Sequence, residues 1–427
     1  QRANPCCTGA SRSDRSRSAG SGHRSQKMTS RNSGATMTLN LASPIARGLV
    51  AALAVAALAG CSSMPSWLGG TEKKVLPLPA VTGSATTSVA WQAAIGSKQL
   101  SALVPAVANG RVYVAHPTGT VLVLDEKSGA VSNRFQVPAG KGNLSGGVAV
   151  GGDLIVVGTS KAEVIALDMT GTTRWTSRVS SEVVSPAAIF DDAVLVVGGD
   201  GGITALDPKT GDRKWTIQRQ LPALTVRSSA IPIAVRGAAF VGTAQGKLLA
   251  LDPSNGNVGW EATVATPKGA SELERLVDVV GRPVVDAERV CASAYQGRVA
   301  CFDLIRGTLL WSRDVSTLTG PQIDARAVYV ADDKGVAQAF DKSTGGTLWK
   351  QDVLAGRRAT GTALMGDFLA IQDAEGTLHL VERITGKIAG RGLGESFLSD
   401  AGLVQTADGA LTLIQTRSGQ VAAVTAR

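Results

Sequence analysis

Between Ile203 and Leu206, branched residues alternate with small or polar ones, the two-residue period of a strand. Asp207-Pro208-Lys209-Thr210-Gly211 follows at once. Pro208 presets φ, the Asp207 carboxylate accepts turn N–H groups, and Gly211 takes the left-handed conformation that closes the loop. The pattern therefore predicts a β-hairpin whose second arm returns toward Trp215. It recurs as Leu124-Asp125 through Gly129 to Phe135, and as Leu167-Asp168 through Gly171 to Trp175. It recurs again as Leu251-Asp252 to Trp260, Phe302-Asp303 to Trp311 and Phe340-Asp341 to Trp349. Val381-Glu382 with Gly386 is a weaker copy that carries Gly390 where the aromatic belongs, and Ile414-Gln415 with Gly419 is a last, decayed one.

The acidic positions and the final Gln415 lie 43, 39, 45, 51, 38, 41 and 33 residues apart. Strand–turn–strand units at such a period predict a β-propeller, because one blade cannot bury both faces and must stack on its neighbours. The aromatic is then the filler between blades. Trp91 lacks a preceding turn of this kind, so it predicts an N-terminal strand that completes the last blade and closes the ring. Residues 86–427 divided by eight give about 43 per blade. The expected fold is all-β: an eight-bladed β-propeller of four-stranded antiparallel blades with Trp-containing repeats, with seven blades as the alternative.

The chain's net charge of +9 changes this picture little. Eight basic residues and one acid fall within residues 1–60, and the remainder is close to neutral. The basic signal belongs to the head, which argues against nucleic acid as a partner of the folded body. Residues 1–36 are rich in Arg, Ser and Gly with no apolar period. They read as upstream sequence ahead of a start at Met28 or Met37, or as a disordered natural extension.

Residues 37–60 have the order of a signal peptide: Arg47, an apolar run from Gly48 to Leu58, then Leu58-Ala59-Gly60-Cys61. This looks like a bacterial lipobox, with the Cys61 thiol as the acceptor of diacylglycerol. Ser62 in place of an Asp resembles the outer-membrane sorting pattern, which implies a lipid anchor on the periplasmic face of the outer membrane. Residues 61–85 read as the lipidated Cys and a flexible tether.

Cys6 and Cys7 lie in the head, leaving Cys291 and Cys301 in the folded body. A three-residue loop at Tyr295-Gln296-Gly297 would set them directly opposite each other. That arrangement yields either a cross-strand disulfide, which the periplasm permits, or two buried thiols.

His116 and His379 sit in repeat units without metal-ligand spacing, and no HExxH, GxSxG, P-loop or clustered Cys set occurs in the sequence. Asp125, Asp168, Asp207, Asp252, Asp303 and Asp341 each hold one equivalent turn and are not a catalytic set. No cofactor is expected. The ring resembles quinone-dependent dehydrogenases, but these are generally larger and use metal-binding and often adjacent-Cys features absent from the folded body. A glycan-binding propeller would need exposed aromatics, for which three Tyr are poor equipment.

Loop length distinguishes one part of the ring from the rest. Trp175 to Pro186 and Trp311 to Pro321 span 11 and 10 residues, whereas Trp215 to Pro232 and Trp260 to Pro283 span 17 and 23. Consecutive insertions in equivalent connections lie side by side, as on a binding face. They contain Leu221-Pro222-Ala223-Leu224-Thr225-Val226-Arg227 and Ser271-Glu272-Leu273-Glu274-Arg275-Leu276-Val277-Asp278. These stretches, with the lipobox and the ring, resemble the BamB family of outer-membrane assembly lipoproteins over residues 50–427. The resemblance implies docking on a periplasmic POTRA domain of BamA within the Bam complex, and help in folding and inserting outer-membrane β-barrel proteins. Leu224, Val226 and Arg227 fall on the family's Leu-x-Leu-Arg contact motif, with Arg275 and Asp278 as further contacts. Val280 replaces the second acid of its Asp-x-Asp. Contact with unfolded barrel clients at strand edges is a further expectation.

Overall fold

The computed structural model describes residues 77–427, apart from 79, 82, 139, 141 and 227–229. Eight antiparallel sheets of four strands follow one another along the chain. Blades one to seven span 106–136, 144–178, 188–218, 233–263, 279–314, 322–351 and 359–393. The eighth takes three strands from 404–426, and Thr87–Ala94 pairs with Gln420–Ala426 as its outer strand. The ring is thus closed by the N-terminal strand, and Trp91 lies within it.

Burial follows the position of each strand. Second and third strands are the most buried, as in Leu154–Thr159 and Gly202–Leu206, because both of their faces meet neighbouring blades. Outer strands such as Arg213–Gln218 alternate exposed with half-buried residues. First strands touch one another in succession from blade to blade, and they form the inner wall. The acid–glycine turns join third to outer strands on one rim. The connections onward to the next blade leave on the opposite rim.

Six of the eight seams are held by a reciprocal fit between an indole and the next blade's turn. The Nε1 atoms of Trp91, Trp175, Trp215, Trp260, Trp311 and Trp349 donate to the carbonyls of Glu126, Pro208, Pro253, Leu304, Lys342 and Arg383 at 2.8–3.3 Å. Every acceptor is the residue after the turn acid. The turn glycine makes room: a Cβ on Gly129, Gly211, Gly256, Gly307, Gly345 or Gly386 would lie 2.4–2.8 Å from a ring atom. Asp207 Oδ1 accepts the N–H groups of Lys209 (2.8 Å) and Thr210 (3.0 Å), which hold its carboxyl below the ordinary range. The acids are structural in each copy.

Two copies differ from the expected register. In blade one Asn133, not Phe135, occupies the tryptophan position, since Asn133 faces Val123 and Phe135 faces Val121. The two residues divide the work: Phe135 packs against Gly171, and Asn133 Nδ2 donates to Thr170 O at 3.4 Å. The Gln415–Gly419 copy is a different turn, joining the second strand of blade eight (Thr412–Gln415) to its third (Gln420–Ala426). Glycine closes this hairpin too, which gives the same local signal ten residues early.

Gly390 is not a decayed aromatic position. The chain at Ala85 crosses it: Ala85 N donates to Ala389 O at 3.1 Å, and Ala85 bridges Gly390 in parallel. A Cβ on Gly390 would lie 1.9 Å from Ala85 O, and one on Gly392 would lie 1.7 Å from Thr87 Oγ1. Thr86 and Arg427 exchange both backbone hydrogen bonds, at 2.9 and 3.0 Å. The seam between blades seven and eight is therefore locked by a backbone strap in place of an indole. The ring-bound chain begins before residue 86, inside the segment expected to be tether.

Cys291 stands opposite Cys301 between the second and third strands of blade five, with Cα atoms 4.0 Å apart and the sulfurs joined. Both residues are fully buried. Thiol titration of the denatured, unreduced protein is expected to find none of the thiols of this pair. Two reactive thiols there would show that the pair is reduced.

Candidate functional site: a ledge across blades three to five

The first long connection leaves the outer strand of blade three at Gln218, and the second leaves that of blade four at Thr263. Arg219 anchors the first at its base, with Nη2 at 2.5 Å from Glu261 Oε2 on the next blade. That contact, with Lys247 nearby, holds the Glu261 carboxyl below its usual range. Leu221 and Pro222 then settle half-buried onto the ring, with Leu221 over Gly201. Leu224 stands out at 44% exposure.

The second connection folds on itself. Glu274 Oε2 accepts the N–H groups of Ala270 (2.9 Å) and Ser271 (3.0 Å), while Ser271 Oγ accepts Glu274 N–H at 3.3 Å. This reciprocal pairing has the logic of a capping box and fixes a single turn at Ser271–Arg275. Leu276 and Val277 are buried and pin the far side, leaving Leu273 64% exposed at the tip. Arg275 and Glu272 lie beside it as an exposed pair at 3.6 Å.

Asp278 couples the two loops. Its Oδ2 accepts Val226 N–H at 2.5 Å and its Oδ1 accepts Gln245 N–H at 3.3 Å, while its carbonyl receives Tyr295 N–H at 2.9 Å. One residue thus joins the first loop to the hairpin turns of blades four and five. Asp278 is only 4% exposed, and burial pushes its carboxyl up against the opposing effect of the two N–H donors. The structure departs here from the sequence expectation of a carboxylate facing a partner, because the residue opens an inner strand and is covered by the loop it holds. Val280 is buried opposite Ser293, so its side chain faces no partner either. Arg227 and Cys61 lie outside the described residues. Leu273 was not singled out by sequence, although its place in the Ser271–Glu274 box between pinned neighbours marks it as a presented apolar tip.

The two histidines are engaged elsewhere. His116 Nε2 contacts Ser97 O at 3.0 Å and Nδ1 contacts Thr118 Oγ1 at 2.7 Å. His379 Nε2 lies 2.9 Å from Asp373 Oδ2, and its Nδ1 accepts from Arg391 Nε at 3.3 Å, the place a nucleophile would need. Among the described residues no three His, Cys, Asp or Glu side chains gather as metal ligands. A shallow cleft of about 370 Å³ lies on the opposite rim between blades three and four, lined in part by Asp192, Arg236 and Ser254. The ledge can offer apolar tips flanked by charge, the anatomy of a protein contact.

A family model described as outer membrane protein assembly factor BamB matches residues 118–351 and 333–427. An outer membrane protein assembly factor BamB of Bordetella pertussis is 37% identical over 346 residues, covering 81% of this chain and 88% of that one. The Nitrosomonas eutropha protein of the same name is 42% identical over 302 residues, covering 70% and 73%. The crystal structure of BamB from Moraxella catarrhalis superposes with a TM-score of 0.72 at 26% identity, covering 80% of this chain and all of that one. A quinohemoprotein alcohol dehydrogenase from Comamonas testosteroni reaches 0.60 at 13% identity, a likeness of fold alone.

Proposed function

This chain belongs to the BamB family of outer membrane protein assembly factors, and on that premise we propose that its ring is a non-catalytic scaffold at the periplasmic face of the outer membrane. It docks on a periplasmic POTRA domain of BamA through the ledge and assists the folding and insertion of β-barrel proteins. The observation that carries this reading is the pair of loops tied together by Asp278, which presents Leu224 and Leu273 from a rigid rim. Preorganised loops lose little entropy on docking, so their contacts appear as affinity. Leu224, Val226, Arg227 and Arg275 are the contact residues, and Asp278 is a positioning residue.

Lipidated Cys61 holds the ring to the membrane in this account. The strap that follows it along the chain joins the ring at the seam of blades seven and eight. In an eight-bladed ring that seam lies three to four blades from the ledge, so the strap enters the ring across from the docking surface.

Asp278→Ala tests the coupling. It leaves Val226 and Gln245 N–H groups without their acceptor, which costs about 1–3 kcal/mol of folding stability. A urea melt should still show one cooperative transition. Affinity for BamA should fall about tenfold although no contact side chain is altered. Unchanged affinity in the folded variant would show that the loops do not need this tie.

A further inference from the structure

We infer that the axial channel of the ring holds an oxyanion site at Arg282. The inner strand of blade five bulges here, with pairing to the second strand interrupted between Val280 and Val284. Val104, Ser185, Ile231, Arg282 and Gly320 each precede a proline in or just before the inner strand of blades one, three, four, five and six. Contacts across the bulge bring the positions of blades four, five and six together along the inner wall. Gly281 O accepts Ile231 N–H at 2.9 Å, and a Cβ on Gly320 would lie 2.6 Å from Arg282 O. Four of the five residues are small or apolar, and Arg282 is the exception.

Arg282 remains exposed to solvent, yet the surrounding protein pushes its guanidinium down from its ordinary value. A side chain reached by solvent yet surrounded by protein fits the central channel that a propeller of stacked blades encloses. Among the described residues, Arg282 has no hydrogen-bond acceptor and no carboxylate partner. Arginines elsewhere on the ring are paired with carboxylates, among them Arg219, Arg289 and Arg383. A partly desolvated charge without a partner is unfavourable, and a mobile anion relieves it. The planar fork of five donors suits a carboxylate or phosphate group, which it can bind through two parallel hydrogen bonds.

The test uses the folded, unlipidated ring with inorganic phosphate and with citrate as probes, at ionic strength held constant with chloride. Binding is read by calorimetry and by the shift of the thermal midpoint. The parent protein should bind phosphate or citrate, and whichever acts identifies the group as phosphate or polycarboxylate. Arg282→Gln should weaken that binding about tenfold or more, since a charged hydrogen bond is lost. Arg282→Lys, which keeps the charge without the fork, should fall between them. Without either probe, Arg282→Gln should melt no lower than the parent, because an uncompensated charge has been removed. Equal binding by parent and Arg282→Gln, or no binding of either probe by the parent, would overturn the site.

Discussion

Gly390→Trp is expected to weaken the ring by about 3 kcal/mol or more, although it restores the residue that the repeat calls for. The new Cβ alone would lie 1.9 Å from Ala85 O, a backbone atom that can yield only if the strap moves. Displacing the strap removes Ala85 N from Ala389 O and loosens the exchange between Thr86 and Arg427. The outer strand of blade eight then loses its approach, and with it the burial of Trp91 against Gly129. Chemical denaturation should show an earlier midpoint, and limited proteolysis should cut first near residue 85. A parent-like melt for Gly390→Trp would mean that the seam tolerates an indole and that the strap is not its lock. Trp311→Ala is the matched comparison at an ordinary seam. It empties the volume between blades five and six, a loss of about 3–5 kcal/mol, and leaves Lys342 O without its donor.

Leu224→Ala and Arg227→Ala should each weaken docking on BamA by about 30-fold or more while leaving the melt of the ring unchanged. Both figures follow from the behaviour of central apolar and arginine anchors, whose truncation costs about 2–4 kcal/mol. Leu224 is 44% exposed and belongs to none of the buried core clusters, so its truncation is expected to leave folding unharmed. Arg227 enters through the family motif. Leu273→Ala, at the neighbouring tip, should add a further loss in combination with Leu224→Ala if one partner covers both loops. Binding that is lost for Leu224→Ala but unchanged for Leu273→Ala would confine the contact to the first loop.

The eightfold fold was legible because three residue types in each repeat satisfy one another across a seam. The acid shapes the turn, the glycine clears a space, and the indole of the preceding blade fills it and bonds the turn carbonyl. Ring closure followed from Trp91 by the same logic. Where that set is divided, sequence reading slipped. Asn133 supplies the donor and Phe135 the bulk in blade one, so the aromatic alone marked the wrong position. Gly419 closes a hairpin one strand earlier than its counterparts, because both turns need the left-handed residue. Gly390 looked like a loss, whereas its absent side chain is what admits the strap.

At the ledge, the long connections identified the rim and their adjacency. The direction of Asp278 was not legible, since burial depends on Val226 returning over it from a loop 52 residues away. Leu273 was equally hidden, because presentation at a tip depends on the burial of Leu276 and Val277 beside it.

The measurement that bears most directly on the scaffold reading is binding of a soluble chain of residues 62–427 to the periplasmic part of BamA. Saturable binding by the folded ring, weakened by Leu224→Ala and Arg227→Ala, is the predicted result. A folded ring that does not bind this region would contradict the account.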